Sequence, residues 1–249
     1  MEEMDRLATL AALSATIERD LGKVRRWKNF QGREQTTLAH TATVQIIGMA
    51  VMSAERKHGK KVPFDEAFVM RALTVHDLGE TIYAPQGQDT LYADKSHDKD
   101  LAELDQFIAY IMPFPEYMRD EWLTAYLLQH VSKRDKFSAQ HRARLDELAA
   151  FHANEVALFE LIERIDYVLY AYHECRTNGN MRIMVHVLRN QHARIFELTR
   201  TFKGVAAEIY TVNFRMWADT LLRKHDGKQE EEIPDRTLHH AVQGKPACG

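Results

Sequence analysis

The stretch Val69-Met70-Arg71-Ala72-Leu73-Thr74-Val75-His76-Asp77-Leu78-Gly79-Glu80 decides how the chain is read. An apolar helical run ends there in a histidine, an aspartate and, four places after the histidine, a glutamate. Positions four apart share a helix face, so His76 and Glu80 are expected to point the same way. Asp77 lies about 100° round the axis, within reach of a metal that His76 binds. Gly79 is expected to break the helix and let Glu80 hang over the site. Three ionisable groups within five residues, beside an apolar run, are costly to bury without compensation. A divalent cation supplies that compensation, whereas a His-Asp doublet taken alone reads as a helix cap.

Outward from this stretch, helical periodicity is nearly continuous. Leu7, Leu10, Ala11, Ser14, Ile17 and Leu21 form one stripe, closed by Gly22. Arg25-Arg26-Trp27-Lys28-Asn29-Phe30-Gln31-Gly32-Arg33 reads as a loop rich in arginine and aromatics. A long helix is predicted over 36–58, ended by Gly59 and Pro63, and another from Asp65 into the central stretch. Residues 81–96, with Pro85 and Gly87, read as a loop. Further helices are predicted near 97–111, 117–131, 138–150, 154–174, 181–202 and 204–224. Sustained apolar–polar alternation is missing, so no β-sheet is expected. The expectation is one all-α domain over 1–225, a helical bundle, with a polar, disordered tail over 226–249.

Composition excludes several classes. At 249 residues, 45% hydrophobic and 28% charged, the chain is long enough for a sizeable core and ordinary for a globular protein. A net charge of -3 and a pI near 6.5 argue against nucleic-acid polymers or acidic membranes as partners. The two cysteines, Cys175 and Cys248, show no CxxC spacing, which fits a reducing compartment and suggests no disulfide framework. No apolar run is read as approaching transmembrane length, and residues 1–5 lack the basic region of a signal peptide. Cytoplasm is therefore expected.

Two residues elsewhere bear on the central stretch. His40 sits early in the helix over 36–58, on an apolar face continued by Ile47 and Val51. A lone histidine there is more often a core or surface residue than a ligand. Asp166 interrupts the apolar run Leu161-Ile162-Glu163-Arg164-Ile165-Asp166-Tyr167-Val168-Leu169. It falls four residues after Ile162, on or beside the buried face, and a buried anion needs a cation.

The order His40, His76-Asp77, Asp166, each on a helix, resembles the HD-domain superfamily of metal-dependent phosphohydrolases. The intervals are 36 residues from His40 to His76 and 89 from Asp77 to Asp166. Arg26-Trp27, Arg33 seven residues ahead of His40, and Glu80 in His-Asp-x-x-Glu resemble the 5′-deoxynucleotidase branch. The resemblance covers roughly residues 20 to 175. It implies one divalent metal held by His40, His76, Asp77 and Asp166, with Asp77 and Glu80 catalytic and Glu80 helping to activate the water that attacks phosphorus. It also implies a nucleotide bound by Arg26, Trp27 and Arg33, in the branch a deoxynucleoside 5′-monophosphate. Departures fall on the substrate side. The branch has glutamates where this chain has Gln35 and Ala39, and a Gly-Asp pair where Tyr83-Ala84-Pro85-Gln86-Gly87-Gln88-Asp89 intervenes.

Two imidazoles and two carboxylates suit Mn, Co, Fe, Ni or Zn, with Mg also open. Arginines supply charge to phosphoryl oxygens, and Trp27 offers an apolar face to a base or sugar. Two other functions stay open. A di-iron oxygenase on the same scaffold would need His97 and His130 as further ligands, and a non-catalytic nucleotide-binding module would bind without turnover. His173-Glu174 and His239-His240 read as surface and tail. The apolar face of Met181, Ile183, Met184, Val187 and Leu188 could pack within the chain or form a homodimer.

Overall fold

Asp65 starts the helix that carries the central stretch. Its backbone is extended, and its carboxylate accepts the Phe68 N–H at 3.0 Å, satisfying one of the donors that a helix start leaves unpaired. That helix is α3, Glu66–Val75, and its buried residues Phe68, Val69, Ala72, Leu73 and Val75 follow the helical period. The structure, a computed structural model, describes residues 2–27, 33–58, 62–85 and 97–235, with the side chains of all but 2–7 and 97.

The fold is all-α, as the periodicity predicts. The helices are α1 (Glu2–Leu21), α2 (Thr37–His58), α3, α4 (His97–Ile111), α5 (Glu116–Leu127), α6 (Ala139–Phe151), α7 (Ala153–Asn178), α8 (Met181–Leu198), α9 (Lys203–Glu208) and α10 (Val212–Lys224). Among the described residues the 3₁₀ segments Leu78–Tyr83, Leu128–Lys136 and Glu230–Glu232 accompany them. Among the described residues the strands are two residues each, β1 (Arg25–Arg26) and β2 (Gln35–Thr36), paired antiparallel with Arg26 opposite Gln35. This short ladder lies where a plain loop was expected, and it leads straight into α2.

Two predicted helices are interrupted. The one expected over 117–131 changes to 3₁₀ winding at Leu128, where Gln129 turns its amide to the His76 carbonyl at 2.6 Å. The one expected over 204–224 divides at Thr211, whose hydroxyl accepts the Phe214 N–H and starts α10 afresh. Past Asp226 the chain is mostly exposed as far as Asp235, but Ile233 is buried and Asp235 accepts the Arg182 N–H. Residues 236–249, which include His239 and His240, lie outside the described residues.

The fold divides into two compact units. The first comprises Met1–Lys28, Glu34–Ile46 and Phe64–Phe159, and the second Asn29–Arg33, Ile47–Pro63 and Glu160–Gly249. In the first, Leu73, Leu104, Phe107, Tyr126, Leu127, Leu145 and Leu158 are buried, and Phe107 stacks on Tyr126 with centroids 4.1 Å apart. In the second, Leu161, Ile162 and Ile165 of α7 are buried, as are Met181, Ile183, Met184, Val187 and Leu188 of α8. That α8 face is therefore packed within the chain.

Two expectations are corrected here. The 22-residue α2 is long and apolar enough to cross a membrane by length and composition, although half of its most apolar window is buried inside the protein. Cys175 is buried and disulfide-bonded, where no disulfide was expected; Cys248, the other cysteine, lies outside the described residues.

Gly79 has a packing role rather than the helix-breaking one expected of it. A Cβ built there would stand 2.3 Å from the Glu103 carbonyl oxygen and 2.6 Å from the Tyr126 hydroxyl. The α4 backbone passes too close for any side chain. Gly79→Ala is expected to destabilise the protein by about 1–3 kcal/mol, the usual scale for overpacking, and thermal unfolding checks it. An unchanged Tm would show that α4 yields freely.

Candidate metal centre

α3 ends one residue before the doublet. The His76 N–H still bonds the Ala72 carbonyl at 3.0 Å, but Asp77 leaves the helix at φ -98, ψ 2, and the 3₁₀ turn begins at Leu78. The shared helix face expected of His76 and Glu80 is thus replaced by a turn, closed by the Glu80 N–H on the Asp77 carbonyl at 3.0 Å.

Three donor atoms converge. His40 Nε2 and His76 Nε2 stand 3.4 Å apart, and Asp77 Oδ2 lies 3.2 Å from the latter and 3.5 Å from the former. The ligand atoms of His40, His76 and Asp77 all fall within 4.8 Å of one another, and all three residues are buried. The imidazole rings meet edge to face, 5.5 Å apart at 70°. His76 Nδ1 lies 3.0 Å from the Leu73 carbonyl, which can only accept, so Nδ1 carries the proton. In the neutral imidazole that leaves Nε2 with its lone pair toward the other donors, the tautomer a metal needs. Phe159 packs on the His76 ring at 5.7 Å.

The charge balance favours an anionic Asp77. Burial alone would raise its pKa; interactions with His76, His40 and Arg26 outweigh that and hold the carboxyl well below the ordinary carboxylate range. Arg26, 8% exposed, is held by the β1–β2 ladder and places Nη1 3.2 Å from the same Oδ2. Glu80, 2% exposed, receives a hydrogen bond from the Thr37 hydroxyl at 3.1 Å. Thr37 is itself fully buried and fixed by its N–H to the Val24 carbonyl at 2.9 Å. The donor set, its tautomer and its burial are those of a site that could hold a metal ion.

Trp27 is half-buried, donates its indole N–H to Gln35 Oε1 at 2.8 Å, and has φ 64. That left-handed backbone costs a residue other than glycine roughly 1–3 kcal/mol. The remaining residues lie in the second unit. Asp166 is buried there, as its apolar helix predicts. Arg33 is clipped by its backbone: its N–H donates to Glu174 Oε2 at 3.1 Å and its carbonyl accepts from the Tyr170 hydroxyl. Its guanidinium sits over the Tyr170 ring at 5.6 Å. Glu174, expected at the surface, is fully buried, and its Oε2 also accepts the Asn178 side-chain amide at 2.8 Å.

His130 packs against the rings of Tyr126 and Phe137, with centroids 5.5 and 5.0 Å away, and the side chain of His97 lies outside the described residues. Thr37 and Gln129 are the residues that sequence reasoning missed. Thr37 had a signal, since it lies three residues, one helical turn, before His40. Gln129 had none, since its role depends on a contact 53 residues away. Compared with protein-family models, curated proteins and solved structures, the chain matches none.

Proposed function

We propose that the chain is a metal-dependent phosphohydrolase of the HD type that acts on a nucleotide. The observation that carries this is the convergence of His40 Nε2, His76 Nε2 and Asp77 Oδ2, with Glu80 on the turn that follows directly. The three residues would hold one divalent cation, which when bound polarises a phosphoryl oxygen and lowers the pKa of water. Glu80 accepts the proton of the attacking water, and Thr37 limits the freedom of its carboxylate. Arg26 offers charged donors to phosphoryl oxygens, and the burial of the centre strengthens every such contact. Trp27 offers a base or sugar its ring face.

The test is phosphate release from nucleoside mono-, di- and triphosphates and from p-nitrophenyl phosphate, each with Mn, Co and Mg. Release from at least one nucleotide, abolished by chelation, is the expected result. Oxygen consumption with two irons per chain and no phosphate release would sink the hydrolase. In the same assay Trp27→Ala is expected to lower kcat/KM for the nucleotide about three- to tenfold, the scale of a lost aromatic contact. The aryl phosphate, which has less to pack, should lose less. Equal losses would make Trp27 structural.

A further inference from the structure

The Arg26 guanidinium and the two imidazoles address one atom. Asp77 Oδ2 lies 3.2 Å from Arg26 Nη1, 3.2 Å from His76 Nε2 and 3.5 Å from His40 Nε2. The same oxygen completes the three-donor focus. We propose that Arg26 is a built-in rival of the metal for Asp77 Oδ2, so that metal loading loosens its ion pair and turns its donors to an anion bound beside the metal. This deepens the metal-site reading above and rests on it.

Three observations carry the proposal. First, a guanidinium stays protonated at every working pH, so its positive charge beside Oδ2 is permanent. Second, Arg26 cannot retreat into water at no cost. It is 8% exposed, and β1 is tied to β2 immediately before the strained Trp27. Third, a divalent cation at the focus faces this charge across one carboxylate oxygen, where burial leaves little solvent to screen the repulsion. An anion placed between the two cations relieves that repulsion, and phosphate is such an anion. Metal is therefore expected to promote anion binding, and anion to tighten metal, by the same factor.

The experiment is calorimetric titration of chelator-stripped protein with Mn²⁺ and separately with inorganic phosphate, neither of which needs turnover. Arg26→Leu, which removes the charge and keeps bulk, should bind Mn²⁺ at least about tenfold more tightly than wild type. Arg26→Lys, which keeps the charge, should stay within about threefold of wild type. Phosphate should bind wild type at least about tenfold more tightly with Mn²⁺ present than without it. Unchanged or weaker Mn²⁺ binding by a folded Arg26→Leu protein overturns the rivalry, as does Arg26→Lys binding as tightly as Arg26→Leu. If Arg26→Leu does not fold, the Arg26→Lys and phosphate arms decide, and equal phosphate binding with and without Mn²⁺ overturns the proposal. No Mn²⁺ binding by wild type removes both the centre and the rivalry. Mn²⁺ binding without cleavage of any phosphoester removes the hydrolase alone and leaves the affinities to decide on Arg26.

Discussion

His76→Ala is expected to empty the centre, taking metal content from about one per chain to background in elemental analysis. His76 supplies one of three converging donors, and its Nδ1 contact with the Leu73 carbonyl fixes the ring that presents Nε2 to the other two. With only His40 Nε2 and Asp77 Oδ2 left, 3.5 Å apart, the remaining site has too few ligands for a first-row metal. Asp77→Ala should have the same effect with a heavier structural penalty. It removes an ion-pair partner of the buried Arg26, and breaking a buried pair by removing one partner destabilises by about 3–5 kcal/mol. Asp77→Asn keeps the volume and one acceptor, and so separates loss of metal from loss of fold. Full occupancy in both alanine variants would rule out the centre.

Glu80→Ala is expected to keep the metal and lose turnover by roughly 10²–10⁴-fold, the scale of a positioned acid–base group. Glu80 is not among the three converging donors, yet it is almost completely buried and oriented by a hydroxyl that is itself pinned to the backbone. On the proposed hydrolase reading, this buried carboxylate, held by the Thr37 hydroxyl, would take the proton of the attacking water. Thr37→Val should reproduce part of the loss, and Thr37→Ser should restore it. Parallel metal analysis and steady-state kinetics check all three. Unchanged kcat in Glu80→Ala with metal bound would mean that another group orients the water.

What was legible in the sequence follows physical range. Helix periods depend on residues three and four apart, so α2 to α8 start close to where they were predicted, and Asp65 announces the start of α3. The apolar run into His76-Asp77 pointed to buried ionisable groups, and those groups do gather with His40. The errors occur where a distant neighbour decides. α3 stops at Val75, Gly79 is required by the α4 backbone, and Gln129 leaves the helical pattern to reach the His76 carbonyl. Each depends on a contact with no local signature. Glu174 was misplaced for the same reason, since its Oε2 accepts the Arg33 N–H from 141 residues away.

Anomalous diffraction at the absorption edge of the bound metal, from crystals grown with Mn²⁺ or Zn²⁺, tests the centre most directly. A single peak is expected about 2.0–2.3 Å from His40 Nε2, His76 Nε2 and Asp77 Oδ2. A map with no peak at that focus, or with its strongest peak held by other residues, would contradict it.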